Sequence, residues 1–285
     1  MALDTFTPEV WTQELLSALE KATVIAAPGV VNRDYEGEIA QAGDTVHINS
    51  IGDPTVATYT KGSTTITPES LTSAQQSLVV DQAKYFAFLV DDIDKRQNKG
   101  NVMSEAMRRA AYKLRDTTDI YVEALLRAGV ASGNALGTIA AVTGTPTAFY
   151  DNVLIPLKVT LDEVNVPSEG RYVLIPAWCH GRLLRDDRFI RADATGAGTS
   201  GAFNGMIGQA AGFSVRVSNN LPIVTGDDYS VIAGVPDACS FAEQINQVEA
   251  YRPEASFSDA VKGLHVYGAK VTRPDCIATA TVSKT

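Results

Sequence analysis

The sequence predicts an α+β fold, and three observations carry that prediction. Residues 102–128 repeat apolar positions every three or four residues, the mark of a long amphipathic helix. Residues 38–90 hold two strand-like stretches joined by a run rich in Thr, Ser and β-branched residues. The C-terminal part, 213–283, breaks into short β-prone runs between turn residues. Helices mix with strands without a strand–helix–strand rhythm and without an internal repeat, which separates this class from a parallel α/β sheet.

The first element is a short helix. Thr7 is placed to cap it, Pro8 suits the first helical position, and Glu9 sits near the positive end of the dipole. Trp11, Leu15, Ala18 and Ala22 share one face. That face packs either on its own domain or, as a terminal arm, on something else. Pro28-Gly29 ends the segment.

Residues 44–51 read as a strand with Val46 and Ile48 on one face, and residues 76–90 as a long second strand. Gly52 to Gln75 between them holds a single Lys (Lys61), two acids (Asp53 and Glu69), and otherwise mostly Thr, Ser and small residues. Structureless loops of this length are uncommon in compact domains. Residues 38–90 therefore read as one projecting β-hairpin turning at Lys61-Gly62. A lone two-stranded hairpin is marginal in water. Val56, Tyr59, Ile66 and Leu71 need a covering surface that the hairpin does not offer itself. Trp11, Val56, Tyr59, Lys61, Ile66 and Leu71 are the candidate interface residues.

The helix over 102–128 carries Met103, Met107, Ala110, Leu114, Thr117, Tyr121, Leu125 and Ala128 as its stripe, with Asn101 as cap and Gly129 as stop. Glu105–Arg109 and Glu123–Arg127 are favourable i,i+4 pairs. At 1.5 Å per residue it runs roughly 40 Å, long enough to be a backbone for other parts. A Gly/Ala/Thr stretch over 129–146 marks a boundary. A second helix follows with Tyr150, Leu154, Leu157, Leu161 and Val164 on one face, and Pro156 kinks it. Tyr172 to Ile175 is an apolar strand buried on both faces. Residues 177–188 read as helical, 192–212 as a Gly-rich loop, and 213–217, 229–233, 241–251, 264–271 and 277–283 as strands.

Composition narrows the function. The 285 residues carry a net charge of −9, with 45% hydrophobic and 20% charged residues, which excludes an intrinsically disordered chain. The acidic balance argues against a dedicated nucleic-acid binder, whose footprint is basic. Three scattered Cys exclude a disulfide scaffold and suit a reducing compartment. Residues 1–20 hold three Glu and one Asp and no basic residue, unlike a signal peptide, and no run is long enough to span a membrane.

Motifs for chemistry are absent or out of context. Gly196 to Gly201 matches G-x-G-x-x-G, but Arg188 to Asp193 before it is no buried strand. The Gly-rich run after it is no helix, and Ser218, Asn219 and Asn220 stand where an acid is needed. Asp91-Asp92-Ile93-Asp94 lacks the Gly of an EF-hand, with Gln97 in its place. Asp186-Asp187 and Asp227-Asp228 read as turn or cap acids. Cys179-His180 are merely adjacent, whereas a catalytic Cys and His meet in space from distant positions. The expectation is no catalytic, cofactor or metal site and a structural role.

The order of parts (arm, long hairpin, long helix, then a mixed unit with a Gly-rich loop) is similar to that of the major capsid proteins of tailed bacteriophages with the HK97-type fold. Arg171-Tyr-Val-Leu-Ile-Pro-Ala-Trp-Cys-His-Gly-Arg-Leu-Leu-Arg-Asp-Asp-Arg-Phe189 resembles that family's apolar strand, Pro and following helix. Gly208-Gln-Ala-Ala-Gly-Phe-Ser-Val-Arg-Val-Ser-Asn-Asn-Leu-Pro222 resembles its G-x-x-x-G-φ-x-V…S-N-x-L-P stretch, φ being apolar. The resemblance implies an N-terminal arm over 1–37, an extended hairpin (E-loop) over 38–90 and a P-domain with the spine helix over 91–145. It implies an A-domain over 146–240 and, over 241–285, strands returning to the P-domain. It further implies a shell of pentamers and hexamers around double-stranded DNA, assembled in the host bacterial cytoplasm and found in the virion capsid. Each hairpin would lie over a neighbouring P-domain.

The implied partners are other copies of the chain, a portal, a separate scaffold or decoration protein, and DNA touched non-specifically through residues such as Arg108, Arg109 and Lys113. No membrane and no cofactor is implied. Some members of the family crosslink covalently through a hairpin Lys and an Asn. Lys61 stands near the expected tip and Asn246 is one candidate, with no motif fixing the pair. An encapsulin-type compartment shell, similar in length and tiling, is the alternative, and a soluble enzyme with an unrecognised site the distant one.

Overall fold

The computed structural model describes residues 24–35, 45–51, 54–62, 65, 68–70, 73–91, 102–139, 145, 147–190, 208–221, 223–254 and 258–284. Three sheets and one long helix organise them. Strands β1 (Thr45–Ile51) and β2 (Ser73–Val79) form an antiparallel pair in register Thr45↔Val79 to Ile51↔Ser73. Strand β3 (Gln82–Asp91) leaves that pair. It lines up antiparallel on β11 (Ser258–Val271), which also pairs with β10 (Cys239–Tyr251), giving a three-stranded sheet in the order β10-β11-β3. The strand expected over 76–90 is thus corrected to two strands in different sheets, broken at Val80-Asp81. The reason is local. Val80 is buried, and a Cβ at Gly268 would stand 2.4 Å from the Val79 carbonyl oxygen, so the root of the pair is pressed onto β11 and the chain turns there.

Helix α1 (Val102–Ala128) bridges two cores. Its first half buries Met107, Ala111 and Leu114 with Val90, Val248 and Val261 under the three-stranded sheet. Its second half buries Val122 and Leu126 in the main core. The buried stripe runs 107, 111, 114, 118, 122, 126, while Thr117 and Ala128, expected inside, are exposed. Both stripes obey the 3.6-residue period, and the second core selects between them. The helix ends where a Cβ at Gly129 would stand 2.6 Å from Val271 Cγ2, so the expected Gly stop is also a close approach.

The main core lies on a seven-stranded sheet in the order β4-β12-β9-β5-β7-β6, with β8 paired to β9. Its strands are β4 (Ala135–Ile139), β5 (Tyr172–Ile175), β6 (Gln209–Ala210), β7 (Phe213–Val217), β8 (Ile223–Thr225), β9 (Asp228–Gly234) and β12 (Ile277–Ser283). All four residues of β5 are buried, as its unbroken apolar run predicts for a central strand. β4 arises inside the Gly/Ala/Thr stretch expected as a boundary. β12 joins this sheet, so of the expected C-terminal return strands only β10 and β11 reach the three-stranded sheet.

At Pro156 the helix changes its hydrogen-bond pattern. A π-helical turn, Tyr150–Leu154, precedes α2 (Ile155–Glu163), and the Ile155 N–H donates to the Tyr150 carbonyl. The widened turn accommodates a residue that has no N–H and crowds the carbonyl four positions back. The helix expected over 177–188 divides into α3 (Ala177–Leu183) and α4 (Asp187–Ile190).

Candidate assembly interface

Two apolar surfaces stand open among the described residues. The first is the segment beyond β1. Residues 54–60 are extended and exposed, with Val56 95% and Tyr59 64% exposed, and Lys61-Gly62 forms a turn at φ +84° for Gly62. The Thr55 N–H donates across its legs to Glu69 Oε1, which holds the Glu69 carboxyl below its ordinary value. Trp11, Ile66 and Leu71 lie outside the described residues. The structure therefore places Val56, Tyr59 and Lys61 together on this segment.

The second surface is the outer face of the three-stranded sheet, which the sequence reading missed. Alternation along β3 sends Phe86, Phe88 and Val90 toward α1 and Tyr85, Ala87 and Leu89 outward. Tyr85 is 80% and Leu89 62% exposed. Tyr85 and Ala87, with Leu264 and Tyr251, line a groove of about 410 Å³. Lys262 crosses it, 2.8 Å from Glu249 and 5.4 Å from the centre of the Tyr251 ring, and the carboxylate raises the ammonium pKa. The sequence signal was present: apolar residues occupy both faces of 82–91, which an antiparallel strand with one wet face does not need.

Buried polar groups, also missed, tie the frame of the subunit together. Asp119, on the buried face of α1, accepts N–H groups from Val24 (3.2 Å), Ile25 (3.3 Å) and Ala26 (3.0 Å). Burial raises its carboxyl pKa against the pull of those three donors. Glu123, one turn on, is buried, with no hydrogen-bond partner for Oε1 among the described residues. Burial pushes it up to about 7, opposed by the favourable pull of Arg127, so the acid of the expected Glu123–Arg127 pair is buried. The Glu105–Arg109 pair does form, at 3.1 Å. Arg171 is buried and ties Asp162 (2.7 Å) to the carbonyls of Val166 and Pro167, locking the end of α2 to β5. Arg188 joins buried Asp186 (2.7 Å) to Asp151 (2.8 Å) at the foot of the Gly-rich stretch.

This chemistry positions backbone and does not activate a nucleophile. Burial drives the Cys179 thiol far above its ordinary pKa and lowers that of His180, so the pair holds a thiol and not a thiolate at neutral pH. Cys239 is pushed up to about 12 by burial. Among the described residues no group of three His, Cys, Asp or Glu gathers to hold a metal, and no helix is long and apolar enough to cross a membrane.

Comparison with known proteins agrees with this frame. A family model described as phage capsid protein matches residues 74–280. A solved structure from Mycobacterium phage Che8 is 32% identical, with 88% of each chain covered and a TM-score of 0.72. The capsid structure of the cyanophage P-SCSP1u is 19% identical, covering 90% of this chain and 86% of that one at a TM-score of 0.70, and shows the same fold. The holo-SrpI encapsulin complex from Synechococcus elongatus PCC 7942 shares the fold at 13% identity and a TM-score of 0.56, covering 99% of this chain and 90% of that one. None of the curated proteins matches in sequence. The open surfaces, the buried polar frame and these matches converge: the chain belongs to the phage capsid protein family, as a shell-forming major capsid protein of the HK97 type.

Proposed function

We propose that copies of this chain tile into pentamers and hexamers of an icosahedral head shell around double-stranded DNA, each lapping its 54–70 segment over the outer sheet groove of a neighbour. The observation that carries this reading is the exposure of Val56 and Tyr59, 95% and 64%, on an extended segment. The groove of Tyr85, Ala87, Tyr251 and Leu264, with Leu89 exposed on the same strand, is the matching deficit. In family terms the segment and its root are the E-loop, and α1 with β3, β10 and β11 the P-domain. The seven-stranded sheet is the A-domain, and the residues before β1 belong to the N-terminal arm. Arg108, Arg109 and Lys113 are exposed along α1 and suit non-specific contact with packaged DNA, partly offset by Glu105 and Asp116. A portal, a separate scaffold and decoration proteins complete the proposed partners, with assembly in the host cytoplasm. Lys61 at the tip makes contacts without a covalent bond, so boiled shells should run as monomers on an SDS gel.

Deleting residues 55–70 tests the reading. The variant should keep the circular dichroism of the parent and form no shells in negative stain, and normal shells from it would refute the role of the segment. The encapsulin reading differs in contents. Shells holding DNA and a portal vertex support the phage head, whereas shells filled with one enzyme support the compartment.

A further inference from the structure

The segment before β1 and the hairpin meet the same few residues of β10 and β11 from opposite faces. Residues 24–31 are anchored by the Asp119 carboxylate and by Ile25, Ala26, Val30 and Val31 in the main core. The chain then runs along the edge strand β10. The Asn32 N–H donates to the Cys239 carbonyl and the Phe241 N–H donates to the Asn32 carbonyl, both at 2.8 Å. Arg33 pairs with Glu243 and stands 5.4 Å from the Phe241 ring centre, and Glu243 shares its other oxygen with buried His265 at 3.2 Å. An Asx turn follows, Asp34 N–H to Asn32 Oδ1 at 2.8 Å.

Tyr35 then packs on a different cluster, Leu78, Val80, Ala242 and Val266, together with Ile48 of the hairpin. Strand alternation places Phe241 and Glu243 on one face of β10 and Ala242 on the other. The segment therefore grips the edge of β10 from both sides. The hairpin root rests on the second side through Leu78 and Val80, the close approach of Val79 to Gly268, and a Gln76 side-chain bond to the Thr272 carbonyl at 3.2 Å.

We infer that residues 24–35 are a strap whose docking sets the hairpin: Arg33 on Glu243 and Tyr35 in the Leu78–Val80–Ala242–Val266 cluster make strap and hairpin root one coupled joint. A subunit whose strap is lifted loses Tyr35 from the footing of β1 and β2, and the hairpin is freed to swing. A subunit whose strap is seated holds the hairpin at one angle. Because coupling between two sites is reciprocal, loosening the hairpin must loosen the strap by the same factor.

Hydrogen exchange on the full-length chain, kept dilute as free subunits, tests this. Arg33→Ala should speed exchange in 24–35 and also in 45–51 and 73–79, by a factor within the roughly 5- to 150-fold range of such couplings, with 228–234 unchanged. Ile48→Ala, on the hairpin side, should speed exchange in 24–35 by a similar factor. Effects confined to the mutated segment in either variant would overturn the joint. If Arg33→Ala also loses protection in 228–234, Arg33→Lys replaces it, keeping the charge and losing the planar fork, and the Ile48→Ala arm decides on its own. These readouts belong to the subunit and do not depend on shell formation.

Discussion

Glu123 shows how one side chain sets a pH dependence. Its carboxyl is raised from 4.5 to about 7 by burial, so the native state binds a proton that the unfolded chain has released. Stability therefore falls as pH climbs from about 4.5 to about 7, and the loss is complete above the native value. The shift corresponds to about 3 kcal/mol, at about 1.4 kcal/mol per pH unit, with the opposing pull of Arg127 already counted in it. Glu123→Gln keeps the shape and removes the charge. Thermal unfolding at pH 8 should show the variant melting above the parent, with the two curves converging near pH 5. Equal melting at both pH values would mean that Glu123 is solvated. Neither this acid nor Asp119 was legible in advance, since a carboxylate on a helix ordinarily reads as solvent-facing. Only the second core and the docked backbone of 24–26 turn that face inward.

Among elements, the root of β1–β2 is tightly specified against β11. A Cβ at Gly268 would meet the Val79 carbonyl at 2.4 Å and Val80 Cα at 2.8 Å, both backbone atoms that cannot swing aside. Gly268→Ala should destabilise the subunit by about 1–3 kcal/mol, the range for overpacking. Exchange of 73–79 should rise before that of the seven-stranded sheet. A variant as stable as the parent would show that β2 lifts off β11 without loss. The apolar content of 76–90 made strands readable, yet the switch at Val80-Asp81 was not. Both ladders satisfy the same β propensity, and only Gly268 and the free edge of β11 make two sheets better than one long hairpin. Pro156 was legible because its missing N–H acts within one turn.

At the scale of the molecule, the groove on the three-stranded sheet is the surface on which shell formation should turn. Tyr85→Asp changes an exposed residue, so subunit stability should move by less than about 0.5 kcal/mol. Shell yield by sedimentation should fall sharply, and sulfate should promote assembly of the parent because it strengthens apolar burial. Parent-like yield from Tyr85→Asp would remove the groove from the interface. The exposure of Val56 and Tyr59 was readable from sequence because an apolar residue on a Thr/Ser-rich hairpin has little nearby to cover it. The groove was not, since it exists only once β3 comes beside β11 and β10, which lie more than a hundred residues further along the chain.

The sequence by itself determined the class, the long helix, the central strand Tyr172–Ile175, the exposed segment and the need for a partner. Each rests on periodicity, propensity or composition, which act over a few neighbouring residues. The tertiary structure decided which stripe of α1 is buried, where the hairpin ends, that β12 joins the larger sheet, and that Asp119 and Glu243 hold the strap. Those outcomes depend on which distant backbone arrives to satisfy a hydrogen bond or fill a face, and that competition is settled only when the whole chain packs.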